Sequence, residues 1–170
     1  MDIDEEFQPM TASSHSHLSG AILDGQHILP VRVYYEDTDF SGVVYHASYL
    51  RFMERGRTDY LRLLGIDHRA LFEETEREAP GFAFVVRTMQ IEFLKPARMD
   101  DVLEIHTAPE EVKGASGTLR QRVIRDGETL IDAQVRVAFV AGGKPQRIPK
   151  PLRIAMKADQ EAAVPGVSPD

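Results

Sequence analysis

One long helical pattern, residues 46–64, constrains the fold of this 170-residue chain more than any other feature. Apolar side chains recur there at three- and four-residue steps, which gives a helix one broad apolar face. That face consists of Tyr49, Phe52, Met53, Gly56, Tyr60, Leu63 and Leu64, and the opposite, predicted solvated face carries Arg51, Arg55, Asp59 and Arg62. Gly65 stands where a C-cap glycine belongs, so we predict that the helix ends there. A helix with so broad an apolar face needs a second layer to cover it.

Runs with the two-residue period of a strand lie on both sides of this helix. A strand that ends near residue 36 is predicted before it, because Val31, Val33 and Tyr35 alternate there with more polar residues. After it, four strands are predicted, over 85–93, over 102–112, from the turn at 114–117 onward, and over 131–139. Asp126-Gly127 is a strong hairpin signal, and strands joined by short turns pair antiparallel. The sequence therefore predicts an α+β domain with a five-stranded antiparallel sheet wrapped around one long central helix.

The two ends of the chain lack such periods. Residues 1–26 mix acids with Ser, Gly and His, which predicts a disordered N-terminal tail whose deletion leaves melting temperature and turnover unchanged. Residues 158–170 are predicted to form a flexible C-terminal tail, so the domain should span 27–157. His15 and His17 lack further ligands nearby, which argues against a metal site in the tail.

Composition excludes several classes of function. A net charge of −7 and a pI near 5.4 argue against a nucleic-acid partner. The absence of cysteine excludes disulfides, thiolate metal sites and cysteine nucleophiles. No apolar run approaches the roughly 20 residues of a membrane span. The acidic N-terminus differs from the basic start of a secretory signal, so we expect a cytoplasmic protein.

An acidic run directly before the long helix is the candidate site. Glu36, Asp37 and Asp39 precede Gly42, which allows the backbone to turn sharply and to approach a ligand. A helix N-terminus offers unpaired N–H groups and partial positive charge to a developing oxyanion. The residues alone therefore indicate a carboxylate aimed at an oxyanion site.

Structural roles compete with this interpretation. Asp37 or Asp39 could simply cap the helix. His46 could be a hydrogen-bonded structural histidine, and Tyr45 and Tyr49 could be packing residues. Glu54 lies among apolar neighbours, either in a salt bridge with a nearby arginine or as a buried acid or base. The acids do not fit a calcium loop, because the liganding pattern breaks after Asp39.

The stretch YYEDTDFSGVVYHASYLRFMERGRTDYLR, residues 34–62, resembles the signature of the hot-dog-fold acyl-CoA thioesterases. The resemblance is to the 4-hydroxybenzoyl-CoA thioesterase family, in the YbgC-like branch associated with the Tol–Pal cell-envelope genes. It extends from about residue 30 to residue 152 and implies the hot-dog fold, with which the pattern of one helix and five strands agrees.

The resemblance implies site residues, matched position by position. Asp39 falls on the family's catalytic aspartate. The helix-start amide that polarises the thioester carbonyl falls at about His46, whose side chain is a second catalytic candidate that orients substrate or water. The implied substrate-binding residues are Gly42, Val43, Val44 and Tyr45. Phe40-Ser41 stands where relatives often have two small residues, so acyl preference does not carry over.

The implied activity is hydrolysis of an acyl-CoA to free acid and CoA, with Asp39 as nucleophile or as the base that activates water. The resemblance implies no metal or redox cofactor. Lys95, Arg98, Arg147 and Lys150 are candidates for contacts with the CoA phosphates, with plain surface charge as the alternative.

Two other functions remain open from the sequence. One is a component of envelope or phospholipid assembly that binds acyl-CoA or acyl carrier protein with little turnover. The other is a hot-dog dehydratase, for which His46 is a weak match. Expected partners are acyl-CoA, a second copy of the chain in a homodimer or homotetramer, and acyl carrier protein or lipid-synthesis enzymes. The apolar strand over 85–93 is the sheet edge predicted to meet its own copy.

Overall fold

A computed structural model describes residues 15–65 and 83–163 of the chain. Two helices are present in these ranges, α1 (His46–Leu63) and α2 (Lys150–Ala163). The strands are β1 (Ala21–Leu23), β2 (Gln26–Arg32), β3 (Ala83–Phe93), β4 (Val102–Val112), β5 (Ser116–Arg125), β6 (Glu128–Ala141) and β7 (Lys144–Pro145). Short 3-10 turns lie at Ser16–Leu18 and Tyr35–Asp37. Neither described helix has the length and apolar character required to cross a bilayer.

The strands form one antiparallel sheet in the order β1-β2-β4-β5-β6-β3, with β7 paired to β6. The five long strands are those predicted, and β1 and β7 add two short ones that were not. The strand from Ala83 to Phe93 pairs only with β6 among the described strands, so it occupies an edge as predicted.

Three tight hairpins have two-residue turns in which both residues adopt positive φ. They are Asp24-Gly25, Asp126-Gly127 and Gly142-Gly143, which join β1 to β2, β5 to β6 and β6 to β7. Positive φ at both central residues defines the hairpin turn whose twist matches that of paired strands. The Asp126-Gly127 prediction is thus confirmed.

Several predicted boundaries are wrong. The first strand lies at Gln26–Arg32 rather than running to residue 36, because the chain turns into the 3-10 segment Tyr35–Asp37. The predicted disordered tail, 1–26, contains β1, and the predicted flexible tail, 158–170, contains the last turns of α2. Residues 1–14 and 164–170 of these predicted tails lie outside the described residues.

Helix α1 packs against β2, β4 and β5 through its apolar face. Tyr49, Phe52 and Met53 join buried residues of the sheet in one core cluster. Gly56 lets the helix approach closely, since a Cβ there would lie 2.8 Å from Ile105 Cγ2. The core therefore fixes α1, and with it the N-terminus of the helix.

The polar face of α1 is not entirely solvated, contrary to the prediction. Asp59 is buried and accepts hydrogen bonds from the Gly20 N–H (2.7 Å) and from Arg62, and its Oδ2 lies 2.8 Å from His27 Nε2. Tyr60 donates from its hydroxyl to Asp159 of α2 at 2.8 Å. These contacts attach β1, β2 and α2 to the C-terminal half of α1.

Candidate active site

The acidic run folds into a three-residue hairpin directly before α1. Thr38 and Val44 form an antiparallel bridge, and the Asp39 N–H donates to the Val43 carbonyl at 2.9 Å. Within the turn, the Gly42 N–H donates to the Asp39 carbonyl at 3.0 Å, and Gly42 has φ of +78°. A type I turn followed by a left-handed residue is a common three-residue hairpin, and it accounts for the glycine.

Backbone contacts hold this hairpin against the sheet. The Val44 N–H donates to the Ala97 carbonyl at 2.8 Å, and Val43 forms a bridge with Arg98. The Ala97 N–H in turn donates to the Tyr49 hydroxyl of α1 at 2.9 Å, and burial raises the pKa of that hydroxyl. The loop, the helix and the segment after β3 are thus joined at one place.

Helix α1 begins there with open amide groups. Tyr45 is the N-cap residue with extended backbone, and its side chain makes no capping hydrogen bond to the described helix. The Ser48 N–H donates to the Tyr45 carbonyl at 2.8 Å. His46 and Ala47 are the first two residues of the helix, and no earlier helical turn supplies a carbonyl for their N–H groups. These N–H groups are therefore available to a ligand.

A pocket of about 370 Å³ opens at this point. It is lined by Asp39, Val43, Val44, His46, Tyr49, Phe93, Leu94, Lys95 and Pro96. Asp39, Val43, Val44 and His46, four of the predicted catalytic and substrate-binding residues, therefore line one cavity. Gly42 lies in the turn and Tyr45 is the N-cap residue, and neither is part of the lining. Lys95 was predicted only as a candidate for CoA phosphate contacts, and Phe93, Leu94 and Pro96 were not predicted to belong to the site.

The Asp39 carboxylate is solvent-exposed and held by its own turn. Its Oδ1 accepts hydrogen bonds from the Ser41 N–H at 2.8 Å and from the Ser41 hydroxyl at 2.5 Å. The hydroxyl, followed by the N–H, lowers the pKa of Asp39 below its ordinary value. The carboxylate is therefore ionised at neutral pH and available for chemistry.

The other candidate carboxylates have different surroundings. Asp37 is buried, its Oδ2 accepts the Tyr34 N–H at 2.8 Å, and its carbonyl accepts the Tyr45 N–H at 2.8 Å. Asp37 thus caps the 3-10 turn. Glu54 is exposed and accepts the Thr58 hydroxyl at 2.7 Å, which rules out a buried acid or base there.

His46 stands between aromatic rings at the pocket mouth. Its ring centroid lies 4.5 Å from that of Tyr45 and 6.4 Å from that of Phe93. Phe93 and Leu94 are each more than half exposed although apolar. Lys95 shares the pocket and pairs with Glu128.

No group of three or more His, Cys, Asp or Glu side chains suited to a metal ion occurs within 15–65 and 83–163. The rings of His15 and His17 contact each other edge-on, with centroids 5.9 Å apart.

Comparison with known proteins identifies the family. The description "Thioesterase superfamily" matches residues 41–131. The chain belongs to the thioesterase superfamily. The match begins two positions after Asp39.

Individual members of the superfamily agree. The chain is 46% identical over 136 residues to "Acyl-CoA thioesterase YbgC" of Haemophilus influenzae, covering 79% of this chain and 96% of that protein. It is 46% identical over 126 residues to "Acyl-CoA thioester hydrolase YbgC" of Escherichia coli O6:H1, covering 72% and 90%. A probable thioesterase from Bartonella henselae has a solved structure with 40% identity and a TM-score of 0.63, covering 73% of this chain and 98% of that one. The predicted hot-dog fold and YbgC-like resemblance are confirmed.

Proposed function

We propose that this protein is an acyl-CoA thioesterase that hydrolyses its substrate with the Asp39 carboxylate and the amide groups at the start of α1. The observation that carries the proposal is the shared pocket, in which Asp39 and His46 line the same cavity. The similarity to two proteins named as acyl-CoA thioester hydrolases supports the substrate class.

The thioester carbonyl binds with its oxygen toward the N–H groups of His46 and Ala47, which stabilise negative charge as the carbonyl carbon becomes tetrahedral. Asp39 then acts by one of two routes. As a nucleophile it forms an acyl–carboxylate bond, expels the CoA thiolate and is released by water. As a base it takes a proton from water, whose oxygen attacks the same carbon; the C–S bond then breaks and the CoA thiolate leaves with that proton. Either route ends in free acid and CoA.

The remaining site residues hold the substrate. Val43 and Val44 give the pocket an apolar wall, and Phe93 and Leu94 extend it toward the surface. Gly42 shapes the turn, Tyr45 supports the His46 ring, and the His46 side chain orients substrate or water.

The decisive experiment measures thiol release from a panel of acyl-CoAs, from short aliphatic to long and aromatic. Asp39→Asn should reduce kcat/KM by about a hundredfold or more, because the nucleophile or base is lost while the side-chain shape is kept. Asp37→Asn is the matched control and should cost much less turnover, although it can lower stability. Equal losses of kcat/KM in the two variants would show that Asp39 is not the reacting group. No thiol release from any acyl-CoA of the panel would favour a binding protein.

We further infer that the cytoplasmic active unit is a homodimer or homotetramer joined through β3. The edge of β3 carries Val86, an apolar side chain that is 46% exposed, and the strand ends at the pocket residues Phe93 and Leu94. Pairing of this edge with a second copy would cover the backbone groups that pair with no other described strand, and it would enclose the pocket.

Sedimentation and light scattering test the assembly. Val86→Lys should shift the protein toward monomer and reduce turnover. Val102→Lys, at a 47% exposed valine on the interior strand β4, should do neither. A fully active wild-type monomer would refute the shared site.

A further inference from the structure

The turn that carries Asp39 gives its carboxylate two hydrogen bonds from residue 41, one from the backbone and one from the side chain. Asp39 occupies the first position of the turn, where an aspartate accepts the N–H two residues later. At residue 41 that contact needs only the backbone N–H. The 2.5 Å contact from the Ser41 hydroxyl is additional, because it needs a side-chain donor at residue 41.

Both donors reach the same oxygen. The Ser41 N–H and hydroxyl bind Oδ1, and the hydrogen bonds described for the Asp39 carboxylate include none at Oδ2. A carboxylate fixed through one oxygen cannot rotate freely, so the other oxygen is also restricted in direction. Asp39 lines the pocket described above. Hydrogen bonds to an ionised oxygen are also short and strong.

We propose that Ser41 is a positioning residue, whose hydroxyl fixes Oδ1 of Asp39 and leaves Oδ2 as the oxygen that meets the thioester or the attacking water. This inference rests on the proposed function. The lowered pKa of Asp39, caused first by the Ser41 hydroxyl, supports it. A carboxylate of lowered pKa is ionised at neutral pH, so Asp39 is available for either route.

The other titratable groups that share the pocket are His46, Lys95 and Tyr49. His46 comes from the start of α1, and Lys95 follows β3. The test therefore follows the Asp39 carboxyl itself, by ¹³C NMR titration, beside the kinetics.

Ser41→Ala removes the hydroxyl and keeps the backbone donor. We expect kcat to fall between about tenfold and a hundredfold, because the reacting oxygen is no longer held in place, with KM little changed. We expect the pKa of Asp39 to move upward toward its ordinary value. Ser41→Thr retains the donor and should restore both, and Ser41→Gly serves as a second hydroxyl-free variant.

Thr38→Ala is the matched control. It removes a hydroxyl from the same loop, one that donates to the Tyr35 carbonyl at 2.7 Å, and should leave the Asp39 titration unmoved. Wild-type kinetics and titration in Ser41→Ala would overturn the proposal. A loss of kcat without a change in the Asp39 titration, or equal loss in Thr38→Ala, would also overturn it by assigning the effect to loop stiffness. If the wild-type protein hydrolyses no acyl-CoA, the proposed function and the catalytic role of Ser41 fall together, while the NMR titration still decides whether the hydroxyl controls Asp39.

Discussion

Replacement of Gly56 by alanine tests how tightly α1 is seated on the sheet. A methyl group at this position would lie 2.8 Å from Ile105 Cγ2 and 3.1 Å from Thr107 Oγ1. Both neighbours are fully buried, and Thr107 also accepts a hydrogen bond from the Gln121 amide at 2.8 Å. That amide donates to the Met53 carbonyl as well, at 2.9 Å. The added methyl group would therefore crowd a buried hydrogen-bond network that joins the helix to the sheet.

Two effects of opposite sign decide the magnitude. Alanine favours a helix interior over glycine by about 0.8 to 1 kcal/mol. An extra methyl in a well-packed core costs about 1 to 3 kcal/mol. Because Ile105 and Thr107 sit on a central strand, we expect packing to prevail, with a net loss of roughly 1 kcal/mol and at most about 2. For a protein of this size, 1 kcal/mol corresponds to about 2 to 4 °C in melting temperature.

The assay is urea unfolding at neutral pH with thermal melting as a second probe. Gly114→Ala is the matched control, because a Cβ there meets nothing within 4 Å and its φ lies outside the left-handed region. That substitution should be neutral or stabilise the protein by up to about 1 kcal/mol through the unfolded state. A Gly56→Ala protein as stable as Gly114→Ala would refute the claim of close helix–sheet approach.

Two further predictions concern the far half of α1. Burial lowers the pKa of His27 and outweighs the hydrogen bond with Asp59, so the unfolded chain binds more protons than the folded protein just below the ordinary histidine pKa of 6.5. The His27 contribution to the free energy of unfolding should be fully present above about pH 6.5 and should decline as pH falls. In urea unfolding measured at several pH values, His27→Gln should reduce this decline. An unchanged dependence of unfolding free energy on pH would show that another group causes the decline. Deletion of residues 1–26 should lower stability by about 1 to 3 kcal/mol, because the buried Asp59 loses the Gly20 N–H and β1 is removed. A chain lacking only 1–14 keeps every described contact, and equal melting temperatures for the two truncations would contradict this.

The sequence correctly predicted the helix and strands that bury one face, because burial of that face sets the spacing of their apolar residues. Helix α1 was predicted over 46–64 and lies at His46–Leu63, because its apolar stripe packs on one sheet. The long strands β3 to β6 were found for the same reason. The edge position of β3 also followed from its apolar, proline-free sequence.

The ends of the domain were harder to predict, because their structure depends on contacts with residues that are far away in the sequence. Residues 19–25 have little periodicity, yet Ser19 accepts from Arg62 at 2.9 Å and Gly20 donates to Asp59. The Asp24-Gly25 pair carried the same hairpin signal as Asp126-Gly127 and could have revealed β1. Asp59 was placed on the solvated face because spacing alone does not show that His27 lies opposite.

The choice between Asp37 and Asp39 shows what a pattern of residues leaves open. The two carboxylates lie two positions apart in the turn predicted between the first strand and α1, and their spacing alone does not distinguish a structural from a reacting role. In the structure, the 3-10 turn Tyr35–Asp37 directs the first carboxylate inward to the Tyr34 N–H. The hairpin that follows exposes the second carboxylate beside the start of α1. The same turn that ended the predicted strand early therefore separates a structural carboxylate from the one we propose to be catalytic.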